Sequence, residues 1–203
     1  MRTTCLFLGI VLLAVTAAGS TPAPSDESVV VATISRLGGT LERDESLASR
    51  PILGIDLHST AVTDADLAAI GRLRQLQNLD VRLTGIGDAG VHHLRNLKSL
   101  RTLNLFRTRM GDAGLRDIRR LTNLETLLVG GTRVTDDGLV HLARLRKLRK
   151  VSLFDTAVTD AGLHHLYSLT SLKVALVGRS KVTDAGLEAL RAVRPDVVFT
   201  EPT

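Results

Sequence analysis

From Ala61 almost to the end of the chain, one pattern returns every 24 residues with no insertion or deletion. The units begin at Ala61, Gly85, Arg109, Arg133, Ala157 and Lys181. A fixed period in this range belongs to stacked supersecondary units, each too small to bury its own apolar face and stable only against its neighbours.

Each unit has two halves. The later half reads L-x-x-L-x-L-x-x-T, as in Leu100, Leu103, Leu105 and Thr108. Two leucines separated by one residue alternate in and out as a short strand requires. The earlier half reads V-T-D-A-G-L-x-x-L-x-x-L, as in Leu163, Leu166 and Leu169, which keeps an apolar stripe on one side of a short helix. About seven apolar positions per unit predict a shared core, for example Val158, Leu163, Leu166, Leu169, Leu172, Ala175 and Val177. Each large one contributes roughly 1.5–3 kcal/mol on burial before entropy is subtracted.

These motifs resemble the leucine-rich repeat family, from Pro51 to about Thr200. They are similar in particular to the V-T-D-x-G-L repeats of its cysteine-containing subfamily, and to secreted bacterial proteins, such as those of planctomycetes, that carry the same repeat. The resemblance implies an α/β solenoid of about six repeats, with a curved parallel sheet on the concave side and helices on the convex side. The Asn that ends the family's strand motif is Thr or Ser here, and the subfamily's cysteines are absent. No ubiquitin-ligase adaptor role is therefore carried over.

The chain opens MRTTCLFLGIVLLAVTAAGS, with Arg2 before an apolar run from Cys5 to Ala18. That run is about 14 residues where a membrane span needs about 20, so residues 1–19 read as a secretory signal peptide, with an uncleaved anchor as the alternative. Export to the periplasm or the exterior follows. Cys5, the only cysteine, would leave with the signal, and the mature chain would be stabilised by packing alone. Residues 20–28, with Pro22 and Pro24, read as a disordered tether. Residues 29–60 read as an N-terminal cap and first strand: a helix over about Glu27 to Leu37 ended by Gly38 and Gly39, a short strand over Thr40 to Arg43, and a repeat-like strand within Pro51 to Thr60. The cap helix is expected to cover the open side of the first strand. Residues 61–203 form the array, closing with a helix over Lys181 to Val193 and a truncated strand at Val197 to Phe199.

Recurrence separates scaffold from site. Asp64, Asp88, Asp112, Asp136, Asp160 and Asp184 open the helices, where a carboxylate accepts free N–H groups and favours the dipole. Thr60, Thr84, Thr108, Thr132, Thr156 and Ser180 place a hydroxyl at each turn out of a strand, as a stacked ladder. Gly90, Gly114, Gly138, Gly162 and Gly186 are expected to let each helix start approach the sheet, and Asp66 breaks this column in the first repeat.

The variable positions are the candidate site. Outward-facing strand positions form columns on the concave face, and the residues expected to meet a partner are Asn78, Asp80, Arg82, Thr102, Asn104, Phe106, Arg107, Lys150, Ser152 and Phe154. Phe106 and Phe154 alternate with Gly130 and Gly178 in one column. Their rings either cover the gaps left by the glycines or serve as aromatic anchors of the kind that dominate interfaces.

Charge is uneven: residues 95–150 hold 14 basic and 5 acidic side chains, net +9. Arg95, Lys98, Arg119, Arg120, Arg144, Arg146 and Lys147 cluster at helix ends, either as a solvated face or as a surface for an anionic glycan, lipid headgroup or acidic protein. Nucleic acid is not expected, because one Tyr, four Phe and no Trp are too few aromatics for base stacking. His93, His141 and His165 share one helix position, but neighbouring helices lie too far apart for a metal centre, so no metal or cofactor is expected.

No G-x-S-x-G elbow, phosphate-binding glycine loop, CxxC or HExxH occurs, so no enzyme is read here. The function expected is a non-enzymatic exported binding module that presents its concave sheet to another protein. The alternatives are a structural or self-associating solenoid of the envelope and a binder of anionic glycan.

Overall fold

The computed structural model describes residues 26–200. The signal peptide and residues 20–25 of the expected tether lie outside the described residues. Residues 26–28 are not tether but the first turn of helix α1 (Asp26–Leu37). A buried Val30 and Ile34 on one side of that helix supply the apolar stripe that folds it onto the array.

Eight strands form one sheet in sequence order: β1 (Thr40–Arg43), β2 (Ile52–Asp56), β3 (Asn78–Asp80), β4 (Thr102–Asn104), β5 (Thr126–Leu128), β6 (Lys150–Ser152), β7 (Val174–Leu176) and β8 (Val198–Thr200). From β2 onward every pair is parallel and in register at the 24-residue interval, as with Leu79 against Leu103 and Leu103 against Leu127. In the three-residue strands β3 to β7 the middle residue points inward and its two neighbours point to the other face, so one row belongs to the core and two to the open face.

The outer edge of β2 is covered by β1, which pairs with it antiparallel. The expected cap helix therefore does a different job: α1 stacks beside the first repeat helix, α2 (Asp66–Ile70), and the strand protects the sheet edge. The other repeat helices are α3 (Asp88–Leu94), α4 (Asp112–Ile118), α5 (Asp136–Leu139), α6 (Asp160–Leu163) and α7 (Asp184–Val193). After α5 and α6 the chain continues as 3₁₀ turns, Val140–Arg144 and His164–Ser168. The apolar residues there recur every third position, at Leu139, Leu142 and Leu145 and again at Leu163, Leu166 and Leu169, a spacing that three residues per turn also keeps on one face. Val158, Leu163, Leu166, Leu169, Leu172, Ala175 and Val177 are all buried, as the pattern requires.

Five of the six recurring aspartates bond to the following repeat rather than to the start of their own helix. Asp64 accepts the N–H of Gly87 at 2.8 Å, and Asp88 those of Gly111 and Gly114 at 2.8 Å. Asp112, Asp136 and Asp160 each accept both the N–H and the hydroxyl of the threonine 23 residues later, at 2.6–2.9 Å. The carboxylate therefore ties each repeat to the next, with the acceptor one unit and the donors in the following one.

This corrects the reading of the glycine column. A Cβ at Gly90, Gly114, Gly138, Gly162 or Gly186 would collide with Asp64, Asp88, Asp112, Asp136 or Asp160 of the preceding repeat, rather than with the sheet. The first repeat has no aspartate before it: the position 24 residues upstream of Asp64 is Thr40. Asp66 accordingly supplies the missing carboxylate itself, accepting the N–H of Thr63 at 2.9 Å and its hydroxyl at 2.7 Å. It also pairs with Arg36 of α1 at 2.7 Å, which fastens the cap to the array. Burial alone would raise the Asp66 pKa, but the two Thr63 hydrogen bonds and the Arg36 charge bring it below the usual carboxylate value.

The hydroxyl column is likewise local rather than a ladder between repeats. Thr60, Thr84, Thr108 and Thr156 each donate to the carbonyl three residues earlier, at 2.6–2.8 Å. The residue before that hydroxyl holds φ between +53° and +66° in every repeat: Ser59, Leu83, Arg107, Gly131, Asp155 and Arg179. One of the six is glycine and Asp155 is of a type that tolerates this region, so the sheet's register imposes a left-handed turn on four residues that do not favour it.

Candidate binding surface

The outward rows of the sheet and the turn that follows place three columns on the concave face, and two adjoining depressions lie along them. The first, about 280 Å³, is lined by Glu42, Asp56, Asp80, Asn78, Thr102 and Asn104, with backbone and side chains of β1 to β5. The second, about 660 Å³, is lined by Phe106, Leu128, Phe154 and Leu176, with Leu83, Arg82, Asn104, Lys150, Ser152 and Gly178 around them. They share Asn104 and Leu128. Nine of the ten residues expected to meet a partner thus line one depression or the other. Arg107 lines neither, and its guanidinium lies 5.4 Å from the centre of the Phe106 ring.

The second column changes character along the array. Asp56 accepts the N–H of His58 at 2.9 Å, Asp80 that of Arg82 at 2.9 Å, and Asn104 that of Phe106 at 3.1 Å. These side chains close their own turns, as Asp and Asn do two residues before an N–H. Asn104 also donates to Asp80 at 2.9 Å and is buried, as is Ser152. Both therefore shape the floor more than they offer groups to a partner. For Asp56, burial opposes ionisation, yet the hydrogen bonds from His58 and the charge of Arg82 leave its pKa below the usual value. Beyond Asn104 the same column continues as Leu128, Ser152 and Leu176, and the floor becomes largely apolar.

Of the two readings of the Phe and Gly column, the covering of a glycine is seen at Phe106. Two ring atoms of Phe106 lie 3.0 and 3.1 Å from where a Cβ of Gly130 would stand, so the ring does cover that glycine. The two rings also stand 6.5 Å apart and tilted, each half-buried, on the wall of the larger depression. Arg179 lies 5.9 Å from the centre of Phe154, so each ring carries a guanidinium at its flank.

Leu83, Leu128, Leu176, Asp56 and Glu42 also line the depressions and are not among the ten expected residues. The leucines lie in or beside the charted columns, and their solvent-facing register was the signal. Glu42 lies on the antiparallel β1, outside the period, and no repeat arithmetic reaches it.

On the helix side, two of the clustered cations, Lys98 and Lys147, and Arg74 beside them tie neighbouring loops together. Arg74 donates to the carbonyl of Asn96 at 3.1 Å, Lys98 to that of Arg120, and Lys147 to the Asn123 side chain at 2.7 Å. His92 pairs with Asp117 at 2.8 Å. Burial, then the charges of Arg119 and Arg116, lower the pKa of His141. Among the described residues no group of three or more His, Cys, Asp or Glu side chains converges as a metal site. No described helix is long and apolar enough to cross a membrane.

The leucine-rich repeat family model matches residues 96–118, one repeat length. No curated protein matches the chain by sequence. Among solved structures, an internalin of Listeria monocytogenes is similar at 15% identity and a TM-score of 0.52, over 86% of this chain and 54% of its own. The chain thus spans about half the length of that internalin. The ectodomain of the Arabidopsis thaliana receptor kinase GASSHO1/SCHENGEN3, solved in complex with Casparian strip integrity factor 2, is similar at 16% identity and a TM-score of 0.53, over 80% of this chain and 22% of its own. At these identities the likeness is one of fold. With the 24-residue period, the matched repeat and the in-register sheet, the chain has the fold of a leucine-rich repeat solenoid.

Proposed function

We propose that this solenoid is an exported, non-enzymatic binding module that docks another protein on its concave face. Leucine-rich repeat proteins generally mediate protein–protein interaction. One observation carries the assignment to the concave face: a depression of about 660 Å³ walled by Phe106, Leu128, Phe154 and Leu176, flanked by Arg82 and Lys150, and open to solvent. Aromatic rings and arginines held on a rigid sheet are the residues that supply most interface energy. The internal ties between repeats hold that surface in one shape, so little ordering cost is met on binding.

Export is supported by the charged and apolar opening segment alone. The complex of the receptor ectodomain with its named factor belongs to that protein. It supports here only that a solenoid of this fold can dock a partner.

The test replaces Phe106 and Phe154 with alanine and measures crosslinking capture of partners from the envelope of the exporting cell. Capture is expected to fall at least tenfold. Unchanged capture, with only lowered stability, would mean that the rings serve Gly130 and the fold.

A further inference from the structure

The concave face is chemically divided along its length. The depression over β1 to β5 has three carboxylates in its lining, Glu42, Asp56 and Asp80, and no cation. The neighbouring depression, from the turn after β3 to β7, has Lys150 and Arg82 in its lining and no acid, around an apolar wall, and Arg82 reaches across to pair with Asp80 at 3.2 Å. Glu42 is exposed, and among the described residues its carboxylate has no hydrogen-bonding partner. Asp56 takes both its bonds from His58 on one oxygen and keeps the other open. Asp80 is engaged at both oxygens, by the Arg82 N–H on one and by the Asn104 amide and the Arg82 guanidinium, at 3.2 Å, on the other, so Glu42 and Asp56 hold the open acceptors and Asp80 adds charge beside them.

Resting on the concave-face reading above, we propose that the occupant is an extended peptide segment with two anchors. A large apolar or aromatic side chain sits among Phe106, Leu128, Phe154 and Leu176. A lysine or arginine, three to four residues away along the peptide, sits over Glu42, Asp56 and Asp80. The spacing follows from the sheet. Asp56 and Asp80 lie on β2 and β3 and Leu128 on β5, two to three strands away, or about 10–14 Å at about 4.8 Å per strand. An extended chain crosses that distance in three to four residues at about 3.3 Å each. From β2 to β7 each strand is flanked on both sides by hydrogen-bonded neighbours, so the segment is read by side chains rather than added as a strand.

The test is selection of displayed random 12-residue peptides on the full chain and on its Phe106→Ala/Phe154→Ala variant. A synthetic copy of the best binder is then measured against Glu42→Gln/Asp56→Asn, which keeps the acceptor that Asp56 offers His58. Thermal unfolding establishes that each variant is folded. The peptides selected are expected to share an aromatic or large aliphatic residue with Lys or Arg three or four positions away. Changing that Lys to Gln, or making the Glu42 and Asp56 changes, lowers affinity about tenfold. The two together cost no more than either alone.

Selected peptides without the spaced cation, or an affinity indifferent to the Glu42 and Asp56 changes, overturn the two-anchor proposal. If binding is still lost with Phe106→Ala/Phe154→Ala, the concave docking reading survives that result. No selected binders, or binders indifferent to the phenylalanine changes, overturn both.

Discussion

Replacing Asp136 with alanine removes the acceptor of two hydrogen bonds from the next repeat, those of the Thr159 N–H at 2.8 Å and hydroxyl at 2.6 Å. A hydrogen bond to a charged group contributes about 1.5–3 kcal/mol, and two that share one half-buried carboxylate add up to less than twice that, so about 2–4 kcal/mol is expected. Gly162→Ala disturbs the same contact from the other side. Its Cβ would overlap the Asp136 carboxylate and approach Leu139 Cδ1 to 3.1 Å, an overpacking cost of about 1–3 kcal/mol. With alanine at 136 the carboxylate is gone, and the methyl group of Ala at 162 occupies part of its space. The double variant should then be no less stable than Asp136→Ala alone, a coupling of about 1–3 kcal/mol between the two positions. The assay is urea unfolding followed by far-ultraviolet circular dichroism, read as a midpoint change at constant slope. Costs that add within about 0.5 kcal/mol would refute the idea that the glycine column exists to admit the carboxylate of the preceding repeat.

Three further outcomes follow from the same geometry. Asp66→Gly brings the first repeat into line with the glycine column but, because no upstream aspartate exists to fill the space, should lower stability by about 2–3 kcal/mol in the same urea assay. The folded pKa of Asp66 is lowered, so its contribution is complete above the unfolded value of about 3.9 and fades as pH falls through the folded one. Acid titration of Asp66→Asn should accordingly show a shallower loss of stability below about pH 4 than the parent chain, and an unchanged slope would contradict the assignment. Gly131→Ala places a Cβ at φ +66° and against Arg107, and should cost about 1–2 kcal/mol by thermal or urea unfolding.

How much of this was legible in the sequence depends on whether the information repeats. Leu79, Leu103 and Leu127 recur at 24 residues, so strand positions, inward and outward rows and the buried core could be read directly. The concave columns followed from the same arithmetic, which brought nine of ten expected residues to two adjoining depressions. The role of Asp136 could not be read, because a carboxylate at a helix start satisfies both the capping pattern and the tie to the next repeat. Only the distance to Thr159 separates them. Asp66 looked like an irregularity until the fold showed that it replaces a neighbour the first repeat lacks. The left-handed turns at Leu83, Arg107 and Arg179 were invisible because glycine, the residue that advertises them, stands at one of the six. Glu42 lies on a strand outside the period, where periodic reasoning has nothing to compare.

The claim that the concave face is where a partner docks is tested most directly by a photo-crosslinking side chain placed at one exposed position on each side of the solenoid. Lys150 is exposed on the rim of the apolar depression, and Val140, 48% exposed, lies on the helix side. The account predicts a crosslinked partner from position 150 and none from position 140. A partner captured from position 140 with position 150 silent would contradict it.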